Sequence, residues 1–146
     1  MSKLSYEDVI NRDGKYIFSP VGVSMMPLLR QKRDTVLVEK PTARLKKHDV
    51  ALYKRKSGEY VLHRVMKAFD NGYVFCGDNQ TFYEYGITDE NILAVMTGFW
   101  RDNKFYSIED KSYRFYTKLW CFSLVLRRVL LFLVRILGSI KRRFKK

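Results

Sequence analysis

Between Asp34 and Ile108 the chain is a succession of short runs of branched and aromatic residues, each ended within a few positions by turn formers. Asp34-Thr35-Val36-Leu37-Val38-Glu39 comes first, followed by a basic, Pro-containing connection from Lys40 to His48. Asp49 to Lys54 and Glu59 to Val65 flank a turn at Lys56-Ser57-Gly58, and Asp70-Asn71-Gly72 closes a second hairpin onto Tyr73-Val74-Phe75-Cys76. Ile92 to Trp100 then turns at Arg101-Asp102-Asn103 into Lys104 to Ile108. Strands this short at this spacing predict a mainly β protein, built as a small, coiled, mostly antiparallel sheet assembly.

What precedes the strands is brief. Ser5-Tyr6-Glu7-Asp8 has the form of a capping box, and Asp13-Gly14 stops the pattern, so a short N-terminal helix is expected. Lys15 to Val21 reads as a strand running into Gly22-Val23-Ser24-Met25-Met26-Pro27, a serine turn closed by a residue that lacks an N–H and fixes its own backbone. No basic region followed by an apolar run occurs at the N-terminus, so neither a cleavable signal peptide nor a leading anchor is expected.

The last stretch differs in kind. At 146 residues the chain has room for one core, read here as a domain over residues 1–110 with an appendage over 111–146. The net charge of +13 is concentrated in that appendage, which holds 11 Lys/Arg and no acid; subtracting these from the 28 Lys/Arg leaves 17 bases against 15 acids, or +2, in the rest. A charge so placed does not point to nucleic acid. Lys118 to Ile140 is apolar and helical in composition, but Arg127, Arg128 and Arg135 leave uncharged runs too short for the roughly 20 apolar residues of a spanning helix. At about 100° per residue, Arg128, Arg135 and Arg142 fall on one line, with Arg127 and Ser139 beside it. The expectation is a C-terminal amphipathic helix lying in a membrane interface, with residues 118–146 set against an anionic membrane surface and the protein peripheral to it. A helix docked on its own domain or on a partner helix, and a tilted spanning segment with snorkelling arginines, are the alternatives.

Three short boxes carry the chemistry. A serine hydroxyl needs a base to take its proton and a third group to orient that base. Ser24 alone reads as a turn residue, His63 alone as a structural residue on a strand, and Asp78 in Gly77-Asp78-Asn79 as a turn former. Together, Gly-Val-Ser-Met-Met-Pro, His-Arg-Val and Gly-Asp-Asn resemble the serine-peptidase superfamily that joins type I signal peptidases with the LexA-like autoproteolytic repressors. The resemblance runs from about Phe18 to Trp100, and the histidine before Arg64-Val65, where most bacterial members have lysine, is similar to the endoplasmic-reticulum type of signal peptidase.

That resemblance implies Ser24 as nucleophile, His63 as general base and Asp78 as its orienter, with a second acid soon after, at Glu84 or its rival Asp89. Gly22 stands where many signal peptidases carry an oxyanion-binding serine, so the oxyanion contacts fall to backbone N–H groups, that of Ser24 among them. Met25 and Met26 are expected either to line a substrate groove or to pack in the core. Arg33-Asp34 and His48-Asp49 replace the usual Gly-Asp pairs of the family. The implied activity is endopeptidase cleavage of a membrane-associated or secretory peptide or preprotein, with no cofactor or metal. A repressor-like self-cleaving module and an inactive membrane-surface scaffold are the other readings. Cys76 and Cys121, too few and too far apart for a framework or a metal site, read as buried small hydrophobes.

Overall fold

The computed structural model describes residues 5–143; Lys145 and Lys146 of the basic terminus lie outside them. Ser5 caps the first helix, α1 (Tyr6–Asp13), with the reciprocal Ser5–Asp8 bonds of a capping box, and Gly14 ends it at φ 71°. The strands β1 (Lys15–Phe18), β2 (Asp34–Glu39), β3 (Val50–Lys54), β4 (Tyr60–Phe69), β5 (Gly72–Cys76), β6 (Glu84–Ile87), β7 (Ile92–Arg101) and β8 (Lys104–Ser107) follow, then α2 (Lys111–Cys121) and α3 (Leu124–Arg143). All eight strands join one antiparallel sheet in the order β1-β2-β7-β3-β4-β5-β6, with β8 beside β7. The mainly β expectation therefore holds, with one strand more than the sequence suggested: β6, Glu-Tyr-Gly-Ile, is interrupted by Gly86 at φ 80° and shows no apolar alternation by which to stand out.

Period-2 alternation gives the sheet two apolar faces. On β3, Val50 and Leu52 join a cluster with Ile10, Met25, Leu29, Val36 and Met96, whereas Ala51 and Tyr53 join one with Val65, Tyr73, Phe75 and Ile87. The first cluster sits under the serine turn: Met25, Leu28 and Leu29 are buried in it. Buried Asp34 secures the chain just beyond, accepting from the Arg30 N–H at 2.8 Å and pairing with Arg33 at 2.7 Å and Arg101 at 2.8 Å. The arginines also donate to the Leu28 carbonyl. His48, which stands where the resemblance calls for glycine, takes the left-handed backbone at φ 80°.

The C-terminal stretch departs from expectation in two respects. It is two helices rather than one, broken at Phe122-Ser123, where the Ser123 hydroxyl accepts from the Val125 N–H and caps α3. Packing also crosses the boundary expected at 110/111, because Tyr113 and Tyr116 pack on the first cluster and Thr117, Trp120 and Arg127 bond to Arg64, Asp78 and Gly77 of the sheet domain. Beyond Leu131 the helix is exposed on every side. Among the described residues, no helix is long and apolar enough to cross a membrane.

Candidate active site

Ser24 and His63 line one cleft of about 270 Å³. Its walls are Phe18 to Gly22 and Met25 on one side and Leu52 and Tyr60 to Leu62 on the other, with Tyr6 of α1 and Gln80 also facing it. Gly22, at φ 84°, makes the bend before the serine, and its N–H donates to Gln31 Oε1 at 3.1 Å. Met26 N–H closes onto the Val23 carbonyl at 3.1 Å, so the chain turns over Ser24 and Met25. Among the described residues, no backbone bond engages the Ser24 N–H, and no hydrogen bond joins Ser24 Oγ to His63. Such bonds often tighten only when substrate is bound.

The Gly77-Asp78-Asn79 box meets the serine turn through its backbone. Asn79 N–H donates to the Ser24 carbonyl at 2.8 Å. Gly77 packs so closely on that carbonyl that a Cβ there would stand 2.6 Å from the oxygen. Glycine at 77 is thus required by close approach.

Asp78 does not orient His63. Its carboxylate, fully buried, takes a two-pronged bond from Arg64 at 2.8 Å on each oxygen, and a further bond from the Tyr116 hydroxyl at 2.8 Å. The pleat explains why: neighbours on a strand point to opposite faces, and Arg64, paired with Cys76, shares its face with Asp78 two residues on. A buried guanidinium without a carboxylate is costly, which commits Asp78 to Arg64.

The acid beside His63 is Glu84. Val65 pairs with Phe75 and Phe75 with Glu84, so these three share a face with His63, two residues before Val65. Tyr53, opposite Val61, is His63's diagonal neighbour on that face. The Tyr53 hydroxyl donates to Glu84 Oε2 at 2.7 Å and lies 3.2 Å from His63 Nδ1, while Glu84 Oε2 itself is 3.8 Å from Nδ1. Arg55 grips both Glu84 oxygens at 2.6 and 2.7 Å, holding that carboxyl below its ordinary range. With its proton committed to an ionised carboxylate, Tyr53 can only accept at His63. The network therefore assigns the hydrogen to Nδ1 and leaves the Nε2 lone pair for the cleft. Burial pushes His63 down to about 4, with Glu84 opposing the shift.

The remaining expectations divide. Met25 is both buried and part of the cleft wall, whereas Met26 is not among the lining residues. Asp89 is exposed and bonded to Arg44 and Tyr73, remote in role from His63. Tyr53, Arg55 and Gln80 were missed, although Tyr53 stands at the alternation of Ala51 that faces His63. Comparison with protein-family models, with curated proteins and with solved structures found no match in any of the three.

Proposed function

We propose that this chain is a serine endopeptidase with a signal peptidase/LexA-like catalytic core, acting on a membrane-associated or secretory peptide. The observation that carries the reading is the shared cleft of Ser24 and His63, with the far side of the imidazole closed by Tyr53 and Glu84. Ser24 Oγ attacks the scissile carbonyl carbon while His63 Nε2 takes its proton. The tetrahedral oxyanion forms against the Ser24 N–H, a kind of contact worth about 3–4 kcal/mol per donor elsewhere. Collapse breaks the C–N bond, His63 returns the proton to the leaving amine, and water then hydrolyses the ester by the same route. Glu84 acts through Tyr53, which supports Glu84 rather than Asp78 as the acid of the site. An extended peptide lying between the Phe18–Met25 segment and β4 would meet a mixed wall, apolar at Phe18, Met25 and Leu62 and polar at Arg55, Glu59 and Gln80.

The exposed part of α3 supports seating on an anionic membrane. Val129, Phe132, Leu133, Ile136, Leu137 and Ile140 are exposed together with Arg128, Arg135 and Arg142. The decisive experiment compares wild type, Ser24→Ala and His63→Ala on a membrane-anchored peptide, with folding checked by circular dichroism. Both variants should fold and lose cleavage; equal turnover by wild type and Ser24→Ala would leave the inactive-scaffold reading in its place.

A further inference from the structure

Arg127 is 0% exposed and, among the described residues, pairs with no carboxylate, the nearby Asp78 being occupied by Arg64. From α3 it donates through Nη1 to the carbonyls of Gly77 at 3.2 Å and Gln80 at 3.3 Å, and through Nε to the Trp120 carbonyl at 3.3 Å. Trp120 of α2 adds a bond from Nε1 to the Asp78 carbonyl at 2.7 Å. Helix docking alone does not call for this. A buried charge without a counter-ion costs several kcal/mol, and an apolar side chain of similar volume would dock the helix at least as well. What a guanidinium does, and leucine cannot, is hold two carbonyls of one turn at a fixed spacing.

The opposite side of that turn is the active site. Asn79 N–H holds the Ser24 carbonyl, Gly77 lies against the same oxygen, and Gln80, which accepts from the Gly77 N–H at 3.0 Å, lines the cleft. We infer that Arg127 and Trp120 are positioning residues of the active site, with α2 and α3 clamping the Gly77–Gln80 turn and, through it, the backbone of Ser24. The inference rests on the serine-peptidase reading for its catalytic consequence. A displacement of about 1 Å at a nucleophile costs on the order of 100-fold, so the far side of the domain sets the rate.

The test uses the full chain without lipid, so that membrane binding plays no part. Turnover of an internally quenched, alanine-rich peptide and amide hydrogen exchange are compared in wild type, Arg127→Met and Trp120→Phe; the last removes one N–H and keeps the stacking on Tyr116. Expected are a roughly 10- to 100-fold fall in kcat with KM little changed, and about 10-fold faster exchange at the Asn79 amide with Val65 and Phe75 unaffected. Wild-type kcat and wild-type Asn79 exchange in both variants overturn the clamp. So does exchange that rises equally at Asn79, Val65 and Phe75, because that is loss of global stability. If Arg127→Met does not fold, Trp120→Phe decides by the same two measurements. Absence of Ser24-dependent turnover in the wild type overturns the peptidase reading instead, and the exchange result still decides whether the clamp exists.

Discussion

A histidine kept neutral by burial stays a base at pH values where a solvated one is already charged. His63 is held down to about 4, so we expect kcat/KM to be level from pH 7 to about 5 and to fall with a midpoint near 4. An inflection near 6.5, the ordinary histidine value, would mean that the base is solvated. The same shift has a stability consequence. Between about 4 and 6.5 the unfolded chain binds the proton that folded His63 refuses, so wild type loses stability as pH falls through that window, by up to about 3 kcal/mol. His63→Gln lacks that loss, and urea unfolding of both proteins at pH 7 and 4.5 measures it. The two acids should separate just as clearly. Glu84→Gln removes the charge behind the base and should lower kcat by roughly 100-fold or more, short of the about 10⁴ known for removing the acid of a Ser-His-Asp triad, with folding retained. Asp78→Asn leaves Arg64 buried and uncompensated, and should cost about 3–5 kcal/mol of stability. A motif alone could not distinguish these acids. The pleat could, since adjacent His63 and Arg64 must face opposite ways and Asp78 falls on the arginine's side.

At the scale of elements, what was legible followed from strong local signals. Alternating strands, Gly-containing turns and the Ser5–Asp8 cap were all readable because each depends on a few neighbouring residues. Strand β6 was not, because Gly86, at φ 80°, interrupts the run between Tyr85 and Ile87 and the strand is held by pairing with β5; without it, the face shared by Glu84 and His63 could not be deduced. Periodicity also put Arg127 beside a basic line of exposed arginines, since a helical wheel knows nothing of the carbonyls of a distant turn. The helix is in effect two segments, docked to Leu131 and free beyond it. Leu131→Ala should therefore cost about 2–4 kcal/mol, and Leu137→Ala less than about 0.5 kcal/mol, read from thermal or urea unfolding. A turn gives the complementary case. Gly77→Ala drives a methyl to 2.6 Å from the Ser24 carbonyl and should cost about 1–3 kcal/mol while displacing the serine, so activity should fall further than stability alone explains.

The whole molecule divides its charge unevenly, and burial sharpens the division. Arg127 is withdrawn into the body, but Lys111, Arg114, Lys118, Arg128, Arg135, Lys141, Arg142 and Arg143 remain exposed, while residues 1–110 are near neutral. Each base near an anionic surface contributes about 1 kcal/mol, and that part is screened by salt. The exposed apolar side chains of α3 contribute a part that salt does not weaken. Sedimentation should therefore show tight binding to phosphatidylserine-containing vesicles at low salt, partial release at high salt, and weaker binding to phosphatidylcholine alone; equal binding to both lipids would remove the electrostatic premise. Because Arg127 ties the start of α3 to the body, seating of the exposed helix on lipid would also fix the height of the Ser24 cleft above it. On the proposed function, a peptide anchored in the same vesicle would meet the cleft at an effective concentration that a free peptide lacks. We expect the ratio of anchored to free peptide turnover to exceed unity at low salt and to fall as salt rises, in step with vesicle release. A ratio independent of salt would uncouple cleavage from membrane seating.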